Sequence, residues 1–168
     1  MIAPSAATHL GFLAMIREAG SYSGGYLVTN LWGRPLEFRL STPVQPNRVQ
    51  QILYGDTLAE HVCSEVIGKT LVEKTATPAA VVLTDCGEAL ALRRSLDIPV
   101  VWIAGPPGES DWTIPSSALR IHSEFPDDAA RLQELIDRLK GLDLIEPFQR
   151  VRDAVAEARK LGAMQRAG

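Results

Sequence analysis

The stretch AAVVLTDCGEALALRRSLDIPVVWIAGPPG, residues 79–108, decides the fold. It contains two short apolar runs, Ala80-Val81-Val82-Leu83 and Val100-Val101-Trp102-Ile103. Neither run alternates with polar residues, the pattern of strands covered on both faces in a parallel sheet. Between them, residues 88–96 place Ala89, Leu92 and Leu96 at helical spacing. A strand, a crossover helix and a parallel strand need about 30 residues, and the stretch supplies that length.

Upstream, residues 26–31 are rich in aromatic and β-branched side chains, as strands are. Trp32-Gly33-Arg34-Pro35 makes a turn, and Leu36, Phe38 and Leu40 then alternate with Glu37, Arg39 and Ser41. This predicts a hairpin with Leu36, Phe38 and Leu40 inward and Trp32 at an exposed tip. Residues 20–25 read as a loop because three of the six are glycine. Residues 9–17 fit either a strand or a helix.

Pro43 and Pro46 end the hairpin, and Asn47 can cap a helix burying Val49, Ile52 and Leu53. Asp56 can cap a second segment carrying Leu58, Val62, Val66 and Ile67. Residues 118–122 suit a last edge strand. Beyond Asp127, Leu132, Leu135, Ile136, Leu139 and Leu142 line one helix, and Phe148, Val151, Val155 and Ala158 line another that opens at Pro147.

These elements predict an α/β protein: a mixed sheet with an antiparallel N-terminal part, a central β-α-β unit and two C-terminal helices. The expected division is a core domain over residues 1–126 and a helical segment over 127–168, packed on the core or extending from it. With residues 9–17 as a strand, the order of elements resembles the ribonuclease H-like fold, by topology and not by motif. With a helix there, the opening resembles small roadblock-like interaction domains, but those continue into a hairpin where this chain has its β-α-β unit.

The 168 residues are 46% hydrophobic and 22% charged, with a net charge of −3. A single globular domain is expected, with no global field drawing it to nucleic acid or an anionic membrane. Two cysteines, Cys63 and Cys86, fit a reducing compartment rather than a disulfide scaffold, though one disulfide between them stays open. The N-terminal apolar stretch is too short to span a bilayer, so the expectation is a cytoplasmic protein.

The turn Thr84-Asp85-Cys86-Gly87-Glu88 is the first place to look for chemistry. Cys86 would lie near the positive end of the following helix, which lowers a thiol pKa and can make a nucleophile. The simpler account makes Asp85 the helix N-cap. Glu109, Asp111 and Trp112 lie in the loop after the next parallel strand, where they could share an acidic ligand cleft with Asp85 and Glu88. Gly68-Lys69-Thr70 imitates the end of a P-loop, but Cys63 stands where the pattern needs glycine. His61, Cys63 and Cys86 lack zinc-ligand spacing, so no metal and no cofactor are expected.

Nucleases of the ribonuclease H-like fold hold two metal ions on clustered carboxylates, the first of them in the opening strand. Residues 9–16 contain no acid, although Asp85 with Glu60 or Glu65 could supply others. The expected function is therefore a non-catalytic binding or protein-interaction domain with no nucleic-acid partner. Its amphipathic C-terminal helices would favour self-association; if they mediate assembly, truncation after Leu142 should leave a folded monomer. The alternative is a small hydrolase using Cys86, or a metal-dependent enzyme using Asp85.

Overall fold

A computed structural model describes residues 8–104, 119–139 and 141–167, and the side chains of that last stretch as far as residue 162. The ambiguous first segment is a strand, β1 (Leu10–Glu18), the central partner of the sheet's two halves. β2 (Ser21–Thr29) returns antiparallel to it, and β3 (Pro35–Leu40) pairs antiparallel with β2. On its other side β1 pairs in parallel with β4 (Val81–Thr84), which pairs in parallel with β5 (Val100–Ile103). A short β6 (Leu119–Ile121) closes that edge antiparallel to β5. The strand order is β3-β2-β1-β4-β5-β6, a six-stranded mixed sheet of the ribonuclease H-like kind.

The alternation of β1 divides the core. Leu10, Phe12 and Ala14 face α4 (Asp128–Arg138) and α5 (Glu146–Ala167), together with Val81, Leu83, Leu132, Phe148, Val151 and Val155. Leu13 and Met15 face the opposite layer, where Val62, Cys63, Ile67, Leu71, Ala89 and Leu92 are buried. β4 is buried along its whole length, as its uninterrupted apolar run predicts.

Several local expectations are corrected. Residues 21–25 belong to β2 rather than to a loop. Gly24 and Gly25 are there because helices press on the sheet: a β-carbon would meet Ile67 Cγ2 at 2.7 Å from Gly24, and Val151 Cγ1 at 2.5 Å from Gly25. Phe38 packs on the core, but Leu36 and Leu40 stay largely exposed because β3 is an edge strand. Trp32 is 84% exposed at the hairpin tip, as expected.

Asn47 does cap α1 (Arg48–Tyr54), accepting from the Gln50 amide in a reciprocal capping box. Yet Val49, Ile52 and Leu53 are exposed, because α1 buries no residue at all. Asp56 lies inside a 3-10 turn (Gly55–Thr57) rather than capping α2 (Leu58–His61). The chain then widens into a π-helical segment (Val62–Lys69) before α3 (Thr70–Lys74). The crossover between the parallel strands is a 3-10 helix (Gly87–Ser95), not an α-helix.

Candidate functional site

At the carboxyl ends of β1 and β4 the two faces of the sheet carry two different groups of side chains. The alternation that sends Val81 and Leu83 toward α5 sends Asp85 the same way, while Thr84 and Cys86 face the other layer. The side chains of Asp85 and Cys86 therefore lie on opposite faces of the sheet.

On the α5 face, Asp85 accepts a hydrogen bond from the Met15 amide at 3.3 Å and pairs closely with Arg152. Asp85 is not the helix cap that its position suggests; Cys86 occupies the cap position and makes no side-chain capping bond. One turn pair further along α5, Arg159 reaches Ser23 and Glu18. Arg152 and Arg159 are seven residues apart and share a side of the helix.

On the opposite face, Arg17 stands over both cysteines. Its Nη2 lies 3.8 Å from Cys63 Sγ, 3.7 Å from Cys86 Sγ and 2.9 Å from Glu88 Oε1. Cys86 Sγ is 3.2 Å from Glu88 Oε2. Cys63 has no exposed surface and Cys86 is 8% exposed; both are free thiols.

The charges set the two thiols apart. A hydrogen bond from the Cys86 thiol, reinforced by the Arg17 guanidinium, holds Cys63 below the usual thiol range. Cys86 is pushed well up, first by that same bond to Cys63, then by burial and by Glu88. The shift runs opposite to the lowering that the helix end would bring in the alternative reading of Cys86 as a nucleophile. The neighbours of Cys86 are a carboxylate and a second sulfur, and they outweigh the dipole of a short 3-10 helix. Burial raises the Glu88 carboxyl, but the hydrogen bond from Arg17 leaves it below its ordinary value.

The remaining candidates are committed elsewhere. His61 pairs with Glu65 at 3.3 Å and stacks on Tyr54, while His122 accepts from the Glu124 amide and packs on Phe125. Glu60 pairs with Arg94. Glu60 and Glu65, the acids considered for a nuclease site, therefore have partners of their own away from Asp85. Gly68-Lys69-Thr70 lies within the continuous helical run, with Lys69 near Glu73. Glu109, Asp111 and Trp112 fall outside the described residues. Among the described residues no three of His, Cys, Asp and Glu cluster as metal ligands. Arg17, Arg152 and Arg159 were not singled out from the sequence, and only the chain reversal at β1 and the docking of α5 bring them to this edge.

No known family profile matches the chain, and no curated protein matches it by sequence. Solved structures do. Endonuclease V from Ciona intestinalis, bound to a 24mer DNA containing an inosine followed by a ribo-adenosine, is 13% identical with a TM-score of 0.37. A variant of that enzyme with a 23mer DNA is 11% identical, with a TM-score of 0.36. In both, the match covers 79% of this chain and 58% of the other. Argonaute from Marinitoga piezophila, with a 5′ OH guide RNA, is 9% identical with a TM-score of 0.33, over 64% of this chain and 18% of that one. The chain thus spans just over half the length of the Endonuclease V chains.

These neighbours correct two expectations. They were solved in complex with DNA or RNA, whereas a non-catalytic, self-associating interaction domain with no nucleic-acid partner was expected. No helix among the described residues is long and apolar enough to cross a membrane.

Proposed function

We propose that this chain is an enzyme acting on nucleic acid at the carboxyl edge of β1 and β4, with Asp85 as its essential carboxylate. The observation that carries the reading is the placement of Asp85. Its carboxylate is tied to the Met15 amide of the neighbouring parallel strand and to Arg152 of α5, just beyond the end of β4. Ligands of open α/β sheets gather outside the carboxyl ends of such strands.

The chemistry of the flanking groups suits a phosphodiester. Arg152 and Arg159 present guanidinium groups along one side of α5, and a guanidinium matches two phosphate oxygens at once. Both are held by acids, Asp85 and Glu18. A phosphate chain arriving there would exchange places with those carboxylates. Freed from Arg152, Asp85 could take a proton from attacking water or hold a divalent cation against the phosphate. Because no three metal-ligating side chains cluster among the described residues, this reading uses one acid rather than a two-metal clamp.

The test uses the full chain with labelled single- and double-stranded DNA and RNA, in magnesium or manganese. Cleavage of at least one substrate is expected, falling at least about a hundredfold in Asp85→Asn, the scale of losing an electrostatic or acid–base group at a reacting centre. Binding of the same probes should weaken in Arg152→Ala and fall with rising salt. No cleavage of any of the four substrates by the wild-type chain overturns the reading.

A further inference from the structure

We infer that Cys63 and Cys86 form a peroxide-sensitive thiol pair, converted reversibly to an intramolecular disulfide beneath Arg17. This goes beyond the proposed reaction, uses the other face of the sheet, and stands whether or not the chain cleaves nucleic acid.

The geometry has the parts such a pair requires. Two free cysteines from separate elements, the π-helical segment and the start of the crossover, meet under one guanidinium nitrogen at 3.8 and 3.7 Å. Both sulfurs lie within 3.8 Å of the same Arg17 nitrogen, so one guanidinium draws the two cysteines to a single point. Glu88 anchors Arg17 through one oxygen and reaches Cys86 Sγ through the other. Cys63 sits in a widened helical turn, where Gly68 lies so close to the Cys63 carbonyl that a β-carbon would stand 2.7 Å from it. Widened turns of this kind recur at functional positions in helices.

The roles differ. Arg17 lies about equally near both sulfurs, but Cys86 alone donates to the Glu88 carboxylate, so Cys86 keeps its proton and Cys63 is the sulfur whose thiolate Arg17 stabilises. Hydrogen peroxide is small enough to suit a sulfur with no exposed surface. The Cys63 thiolate attacks one peroxide oxygen, the O–O bond breaks, and hydroxide leaves to become water on taking up a proton. Cys63 is now a sulfenic acid. Cys86 then passes its proton by way of Glu88 and attacks the Cys63 sulfur. The S–O bond breaks, a second water leaves, and the S–S bond forms. Two electrons have passed from the sulfur pair to one peroxide. Arg17 favours the first step by stabilising the thiolate, and its side chain is half exposed above the pair.

The experiment treats the full reduced chain with equimolar hydrogen peroxide, quenches it in acid, and counts alkylatable thiols by intact mass after denaturation. Loss of both thiols in a monomer, restored by dithiothreitol, is expected. In Cys86→Ser the reaction should stop at a dimedone-reactive sulfenic acid on Cys63, whereas Cys63→Ser should give little dimedone adduct on Cys86. Arg17→Met should oxidise about tenfold more slowly at neutral pH, the equivalent of one pKa unit of thiolate stabilisation, with most of the rate recovered in Arg17→Lys. Wild-type thiols that survive the peroxide, a disulfide only between chains, or a dimedone adduct chiefly on Cys86 would each overturn the inference. Retention of the wild-type circular dichroism spectrum in each variant keeps these readouts separate from misfolding.

Discussion

At the residue scale, Glu37 shows how an exposed edge strand is tied down. Its carboxylate accepts from the Thr77 amide at 2.9 Å and from the Ala76 amide and the Thr77 hydroxyl, and it pairs with Arg39. The Thr77 amide leads in holding its pKa down to about 2, from an ordinary 4.5. A carboxyl depressed on folding adds stability that is complete above its unfolded value and lost as pH falls through its folded one. Wild type should therefore exceed Glu37→Gln in urea midpoint at pH 6, and the gap should narrow between about pH 4.5 and pH 2. An equal gap at both ends of that range would show that Glu37 contributes by packing alone. The same local accounting was beyond reach for Asp85. Capping explained an aspartate before a helix so well that its partner, 67 residues later in the chain, had no reason to be sought.

At the scale of elements, close approach matters more than propensity. Tyr26 is buried with its ring over Gly11, so that a β-carbon at that glycine would stand 2.6 Å from Tyr26 Cε2. Gly11→Ala should destabilise by about 1–3 kcal/mol, the usual cost of overpacking a filled core, read as a lower urea midpoint at unchanged slope. A neutral result would mean that the Tyr26 ring has room to move. This is also why the glycine-rich residues 20–25 mislead. Glycine signals a turn when nothing presses on the chain, but here Ile67 and Val151 need the space that a side chain would fill. The crossover differs from its helical pattern for a related reason. It has nine residues, Gly87–Ser95, to span adjacent strands, and its Arg93 must reach Asp128 on α4. That pair is almost fully buried and joined at 2.7 Å, and Arg93 also lies over the Phe125 ring. Asp128→Ala leaves Arg93 without its counter-charge and should cost about 3–5 kcal/mol in thermal or chemical unfolding.

At the scale of the whole molecule, α5 is part of the core. Phe148 stacks edge-on against Phe12 with centroids 5.5 Å apart, and Val151 and Val155 are completely buried against the sheet. Truncation after Leu142 should therefore not leave a folded monomer, contrary to what amphipathicity suggested. It should give a chain lacking cooperative unfolding, and Phe148→Ala alone should cost about 3–5 kcal/mol. A truncated chain that melts cooperatively would show that the sheet and α4 suffice. An amphipathic helix announces only that one side seeks cover; whether the cover is its own sheet or a second copy is a property of the tertiary structure.

The unbroken apolar runs of β4 and β5, the alternation through β3 and the two C-terminal periodicities were enough by themselves to determine an α/β protein with a mixed sheet, whereas its ribonuclease H-like order turned on residues 9–17, which only the structure made a strand. Those signals are local: each strand or helix carries its burial pattern in a few consecutive residues. The site is not local. Residues 84–88 marked the right edge of the sheet, but the pleat divides that turn, sending Asp85 to α5 and Cys86 to the helical layer. Only tertiary structure could bring Arg17, Cys63, Cys86 and Glu88 together on one side and Asp85 with Arg152 on the other. Their sequence separations of up to 71 residues leave no periodic trace. Pairing across such distances is set by strand register and helix docking, neither of which a run of neighbouring residues records.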